Sequence, residues 1–581
     1  MLINLPVARS SGARFLFLGT AVLTAAIAWW SKDFGSTHAA SRLTPPFVQL
    51  FTLFDYPASV WALLMGVAAA FVPQKYSFRP LLLWIADHTW LIAGVVCVVL
   101  CICTRVFYLD FHPTQDETAP YFQSRIFAAG HLAGQVPPGL IDQLVPRVFQ
   151  WHFYPVSHTT GRIAESYWPA FALLLTPFTF LGIPWACNPV ISALTLPVMH
   201  RLALRLFADR ETAGLVVLLT LGSPVFFADG ISFYSMSAHL LANSVFALLL
   251  LDPTPRRALA AGVVGSIALT LHNPVPHMLF AIPWMLAIAR SPGAAKRMGC
   301  LLAGYLPLGV LLGVGWVVFV GGIAHDDAAT TVGTVTADGP LTSLAAIFSL
   351  PDSSILLARW IGVVKVWVWA VPGAVLLAVV GAWKWRHNPY CRVLTASALV
   401  TLLGYVLVPV DQGHGWGYRY FHSAWMVVPL LAAGALARVP VEPTPLGRLI
   451  EEPGVRTYLV ACALLSLTLG CGLRAVQIRE FVASDMSATL PAYSGIEHRV
   501  VLMKSEGGRN LAEDDPWLRG NAVYLLSRGA EADAAMMSVY FPGLRRVFSD
   551  AQGSVWSAGP GPGSDSPSFK SPSEMTPLPR Q

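Results

Sequence analysis

Two neighbouring carboxylates, Asp116 and Glu117, follow a long apolar run in the stretch DFHPTQDETAPYFQSRIFAAGH, residues 110–131. Charge is scarce in this chain. Asp, Glu, Lys and Arg make up 12% of its 581 residues, against about a quarter in an ordinary soluble protein. An acidic pair at the edge of a bilayer is suited to proton transfer, with Asp116 as general base and Glu117 beside it. The same residues also suit a helix start, where Asp116 would cap the first free amides and Glu117 would face the positive end of the helix dipole. The two readings are compatible.

Further polar groups are scattered among apolar runs. Arg419, in GWGYRYF, has the planar fork that matches phosphate, although an arginine at a span end can simply snorkel. His414, His272 and His277 are further ionisable side chains beside or within apolar runs. His272 and His277 flank Pro274 and Pro276, so either a broken helix opens its backbone there or the helix merely kinks. Tyr121, Arg125, Tyr234, His239, Asn273, Trp416 and Tyr420 complete the expected pocket. The aromatics among them could stack on a sugar or anchor at the interface, and His239 could equally be a packing histidine. Asp326 and Asp327 could hold a divalent cation or lie in a solvated loop, and no His/Asp spacing matches a metal template.

The elements that must carry these groups are membrane spans. Apolar residues make up 55% of the chain and the mean hydropathy is +0.57, so the fold class is an all-α polytopic membrane protein. A net charge of +6 spread over thin basic loops reads as topology signalling and not as a nucleic-acid surface. The cysteines, at 97, 101, 103, 187, 300, 391, 462 and 471, form no CxxC pair and read as small buried hydrophobes.

Residues 14–30 resemble a signal peptide in outline but are expected to be an uncleaved first span, followed by runs at 47–72 and 90–108. With a cytoplasmic N-terminus, three crossings bring Asp110 to the outer side. The outer loop 110–166 is too polar to cross, and 117–129 predicts an amphipathic helix ended by Gly130, with Tyr121, Phe122, Ile126 and Phe127 on one face and the membrane surface beneath it. Basic clusters at 201–210, 256–257, 290–297, 384–392 and 438–456 mark inner loops. Every unusual polar cluster, at 229–239, 272–277, 326–352 and 411–420, then falls on the side that holds Asp116. About 13 or 14 spans are expected by the length rule, with 167–206 crossing once or twice because of breaks at Pro184 and Pro189. The expected divisions are N-terminal spans 1–104, a membrane catalytic module 105–475, a small α/β appendage 476–553 and a disordered tail 554–581. In the appendage, 498–504 and 521–527 read as strands and 530–537 as a helix.

QDETAPYFQSRIFAAGHL resembles the Asp-Glu loop of the GT-C membrane glycosyltransferases, in the branch of family 39 that includes protein O-mannosyltransferases and the lipid A aminoarabinose transferase. YWPAFALLLTPFTFLGIPWACNPV, RLALRLFADRETA, SFYSMSAHLLANSVFALLLL and GHGWGYRYFHSAWMVVPLLA resemble later landmarks in the same order, over roughly residues 105–435. The chain departs at His272-Asn273-Pro274, where many relatives have Arg-Pro, and at Tyr167-Trp168-Pro169, which replaces a Lys-Pro-Pro. These departures bear on the leaving-group contacts and on the sugar.

The resemblance implies transfer of a sugar from a polyprenyl-phosphate donor to a lipid, polysaccharide or protein acceptor, on the extracytoplasmic face of a bacterial-type inner membrane, with Asp116 as general base and Arg419, His414, His272 and His277 as contacts to the donor phosphate. A single displacement would invert the anomeric centre. The resemblance implies no particular cofactor, and a divalent cation could take part. Membrane lipid is an expected partner and nucleic acid is not. The competing class is a transporter or flippase of lipid-linked sugars, which many spans and broken helices also suit. The long polar loop around Asp116 and the outer appendage favour the enzyme.

Overall fold

The computed structural model describes residues 10–37, 45–326, 350–409, 413–438, 452–491, 499–505 and 510–558. Seven helices among them are long and apolar enough to cross a membrane: Ser11–Phe34, Phe47–Ala70, Thr89–Phe107, Pro184–Phe207, Ala294–Ile323, Pro389–Leu407 and Pro453–Thr489. The pair Arg210–Leu221 and Pro224–Ile231, bent by 59°, makes up to eight. Four shorter apolar helices join them: Ala170–Phe180, Met236–Leu250, Val275–Ala289 and Ala374–Lys384. The expected 13 or 14 spans by the length rule therefore compare with a bundle in which many members are short or proline-broken. Ala170–Phe180 has 11 residues, about 16 Å of helix, against a hydrocarbon core of about 30 Å. Of the two apolar stretches in 167–206, only the second spans by this measure.

Small residues bring some of these helices unusually close. At Gly262 an added Cβ would lie 2.1 Å from the Leu301 carbonyl oxygen, and at Gly304 2.2 Å from that of Leu259. The helices Pro255–Thr270 and Ala294–Leu308 thus meet backbone to backbone, as small residues allow in a membrane interior.

The helix expected at 117–129 runs Gln115–Ala128, and Gly130 follows it with φ +80°. Thr114, extended at φ −136°, occupies the cap position that the sequence suggested for Asp116. The apolar face of this helix does not lie on lipid. Phe122 and Ile126 are buried in a cluster with Leu140, Ile141, Val500 and Leu525, between the outer loop and the C-terminal appendage. Burial of such side chains contributes roughly 1.5–3 kcal/mol each, which outweighs surface adsorption.

Two short antiparallel pairs, β1 (Gly134–Gln135) with β2 (Arg162–Ile163) and β3 (His414–Gly415) with β4 (Gly417–Tyr418), precede the appendage. In the appendage β5 (Arg499–Met503) runs parallel to β6 (Ala522–Leu526) and antiparallel to β8 (Gly553–Ser557), which pairs with β7 (Arg545–Ser549), a four-stranded sheet in the order β6-β5-β8-β7. The helix Ala530–Tyr540 covers one face. Residues 554–557, expected to begin the tail, are instead part of β8, because Val555 fills the sheet's second face beside Val501 and Met503. Residues 559–581 lie outside the described residues, as do Asp327, Asp338 and Asp411. Polar ties also dock the appendage: Arg125 Nη2 donates to the Leu511 carbonyl at 2.6 Å and Asn510 Nδ2 to that of Leu144 at 2.7 Å. All eight cysteines are free.

Candidate active site

The first turn of the Gln115–Ala128 helix points its two carboxylates in different directions. Glu117 is fully buried. Its Oε1 accepts from the Tyr108 hydroxyl at 2.6 Å and from the Phe233 backbone N–H at 3.0 Å, while the Thr114 hydroxyl lies 3.1 Å from its Oε2. These bonds tie the end of the Thr89–Phe107 span to the bend after Ile231. Burial pushes the Glu117 carboxyl up to about 7, and the three donors only partly offset it.

Asp116 faces the other way. Its Oδ1 accepts from the Tyr167 hydroxyl at 2.5 Å and its Oδ2 from Arg419 Nη1 at 2.6 Å. Burial alone would raise this carboxyl, but the Arg419 guanidinium, supported by His272 and the Tyr167 hydroxyl, holds it below the ordinary carboxylate value. The Asp116 side chain keeps 16% exposure against 7% for Arg419, so an incoming group can reach it. A partly accessible carboxylate held low beside a buried one held high is an arrangement that can separate a reacting group from a positioning one.

Arg419 is delivered by a tight hairpin. β3 (His414–Gly415) pairs antiparallel with β4 (Gly417–Tyr418), and Gly417 adopts φ +77°, which a side chain would strain. Directly after β4, the Arg419 N–H donates to the Gly413 carbonyl at 2.9 Å and its Nε to that of His414 at 3.1 Å. The guanidinium lies over the Tyr234 ring, 4.6 Å from its centroid. Trp416, at the hairpin tip, donates from Nε1 to the Tyr108 oxygen at 3.1 Å. Hairpin and acidic pair are thereby joined twice.

Other expected residues take up varied positions. His272 packs its ring 3.8 Å from that of Tyr167, one residue removed from Asp116. His414 contributes its carbonyl to Arg419, while its ring lies against Phe47 and Tyr418. His239 is fully buried, and neither ring nitrogen has a hydrogen-bond partner among the described residues. Five residues make their principal contacts with groups other than the Asp116 carboxylate. His277 is satisfied by Asn243 and Tyr305, each at 2.6 Å, which makes it a packing histidine. Asn273 accepts the Val275 N–H at 3.1 Å and serves the start of the next helix. Tyr420 stacks on Tyr405 at 4.2 Å. Tyr121 stacks on His112 at 4.4 Å, and Arg125 lies 4.7 Å over the Tyr121 ring while binding the appendage. These last two line a separate cavity of about 500 Å³ with Asp110 and Thr179.

Several participants carry no sequence signal of their own. Tyr108 and Thr114 matter only because the fold brings them onto Glu117. Tyr167, singled out only as part of the Tyr167-Trp168-Pro169 departure, is the hydroxyl on Asp116. Behind the hairpin lies a second charge cluster: Lys365 Nζ donates to the Gly415 carbonyl at 3.1 Å and sits 3.4 Å from Asp55, which also pairs with Arg474 at 2.9 Å and accepts from Trp369 Nε1 at 2.8 Å. Its signal was available, since Asp55 and Lys365 are ionisable residues inside apolar runs. Asp229 and His422 pair at 2.9 Å nearby. The stretches 229–239, 272–277 and 413–422 thus all meet the acidic pair at one end of the bundle. Among the described residues no group of three His, Cys, Asp or Glu side chains could hold a metal ion, and Asp326 is engaged by Thr160 and Arg162.

No family model matches this chain, and no curated protein does. Among solved structures it is similar to ArnT from Cupriavidus metallidurans. The apo crystal structure aligns with a TM-score of 0.49 at 12% identity, covering 81% of this chain and 99% of that one. The structure bound to undecaprenyl phosphate aligns with a TM-score of 0.48 at 12% identity, covering 80% and 97%.

Proposed function

We propose that this chain is a GT-C-type membrane glycosyltransferase that moves a sugar from a polyprenyl-phosphate donor to an acceptor hydroxyl on the outer face, with inversion. The observation that carries this reading is the meeting of Asp116, Arg419 and Tyr167 over the buried Glu117. In the reaction the acceptor oxygen bonds to the anomeric carbon and gives its proton to Asp116 as the sugar–phosphate C–O bond breaks. The bonding electrons leave with the lipid phosphate. Arg419 lays positive charge where that phosphate gains negative charge, in a partly desolvated site where such charge counts most. Tyr234, beneath Arg419, offers a ring face to the sugar. Glu117 acts as a positioning group, since it is fully buried and tied to Tyr108, Phe233 and Thr114, whereas Asp116 keeps an exposed edge that an acceptor can reach.

The test is transfer in proteoliposomes supplied with synthetic polyprenyl-phosphate sugars and an extract of envelope acceptors, with products identified by mass spectrometry. Asp116→Asn should lower transfer by about 10²- to 10⁴-fold, the usual worth of a general base, without loss of folded protein. An undiminished rate would remove Asp116 from the chemistry. Sugar movement across the bilayer without any covalent product would instead identify a flippase.

A further inference from the structure

A cavity of about 560 Å³ opens between the 74–79 loop, Glu211, Leu436, Arg438 and the 452–457 turn. It lies at the end of the bundle away from Asp116. The Thr89–Phe107 span separates the two: it starts just after the Arg79–Asp87 helix, ends beside Tyr108, and its 19 residues reach about 28 Å. From these observations we infer that the cavity is a second binding site, for a phosphate-bearing anion.

Charge is the first argument. Four cationic side chains, Lys75, Arg79, Arg438 and Arg456, line the cavity against two carboxylates, Glu211 and Glu452. Both carboxylates are committed. Glu211, 5% exposed, is bonded by Arg456 and approached by Arg79 at 3.7 Å and Arg438 at 3.8 Å, three guanidinium groups on one acid. Glu452 accepts the Gly12 N–H at 2.9 Å and the Ser10 hydroxyl, so it holds the first span in place. Lys75 forms no ion pair among the described residues and stands 5.5 Å over the Tyr76 ring. Structural pairing with Glu211 needs one of these cations, not four.

Backbone placement is the second. The helices Arg79–Asp87 and Pro453–Leu465 both begin at the cavity wall, each with proline in its first turn and no side-chain cap. Their N-terminal dipoles add to the field of the guanidinium groups, the combination that recognises phosphate. The neighbouring Phe71, Tyr76 and Trp84 are about half exposed, so the cavity sits beside lipid-facing surface. A phospholipid headgroup and a soluble phosphate ester share the chemistry that this site would bind.

The experiment uses the full chain in phosphatidylcholine nanodiscs doped with phosphatidylglycerol, read by native mass spectrometry, and a parallel titration with inorganic phosphate read by thermal unfolding. The variant is K75Q/R438Q, and the control is K296Q/R386Q, which removes the same charge from exposed positions outside the cavity. Phosphatidylglycerol retained by wild type and control but held about tenfold more weakly by K75Q/R438Q, as loss of two phosphate contacts predicts, identifies a lipid headgroup. Stabilisation by phosphate with the same pattern, and no retained lipid, identifies a soluble ester. Equal behaviour of variant and control in both assays overturns the inference. Should K75Q/R438Q unfold, the single K75Q variant decides, because Lys75 supports no ion pair.

Discussion

Arg419 Nη1 stands 2.6 Å from Asp116 Oδ2, although 303 positions separate the two in the chain. A hairpin closed by Gly417 holds one partner, and the first turn of the Gln115–Ala128 helix holds the other. The contact holds the Asp116 carboxyl low, and on the proposed function Arg419 would also present charge to a leaving phosphate. Arg419→Ala is therefore expected to reduce transfer far more than Arg419→Lys. Lysine keeps the charge but loses the fork, worth about 1.5–3 kcal/mol for a hydrogen bond to a charged group. Initial rates against donor concentration check this, and equal rates for the three proteins would reduce Arg419 to an anchor.

The hydroxyl of Tyr167 reaches Asp116 at 2.5 Å. Tyr167→Phe removes a donor that favours the ionised carboxylate, so the acidic limb of the pH–rate profile should move to higher pH. A profile that falls uniformly without shifting would mean that the hydroxyl serves packing alone.

Glu117 is an acid raised to about 7 by burial and partly drawn back by its donors. Because the folded state holds this proton more tightly than the unfolded chain does, its contribution is full below the ordinary carboxylate range and is lost as pH rises through about 7. Solubilised wild-type protein should accordingly lose stability between pH 5 and 8 relative to Glu117→Gln, on the order of 1–3 kcal/mol. Asp116, held low, works in the opposite sense, and its contribution is lost only on acidification. Thermal unfolding across this pH range tests the difference, and parallel curves for wild type and Glu117→Gln would contradict it.

Asp55 neutralises two buried cations, Lys365 and Arg474. Asp55→Asn leaves that charge uncompensated and should cost about 3–5 kcal/mol. Asp55→Asn combined with Lys365→Met should recover part of the loss. Since Lys365 also donates to Gly415 in the hairpin, the double variant should keep its melting temperature better than its transfer rate. Full recovery of both would show that the hairpin is positioned without Lys365.

Chain order alone was enough for the class of the protein, the helix that begins near Glu117 and two strands and the helix of the appendage, because each depends on local apolar period or on scarcity of charge. The basic loops placed the polar stretches 229–239, 272–277, 326–352 and 411–420 on one side, and Phe233, His272 and Arg419 from three of them lie at the acidic pair. Which of two adjacent acids faces a substrate did not: Asp116 and Glu117 have the same chemistry until Arg419 and Tyr167 claim one, and Tyr108 and Phe233 the other. His277 and Asn273 looked functional because a polar group in an apolar run must have a partner, yet a sequence cannot say whether that partner is a ligand or Asn243, Tyr305 or a backbone amide. The partners of His277 lie 34 and 28 residues away and that of Arg419 lies 303 away; such pairs are chosen by helix packing, so only the tertiary structure decided them.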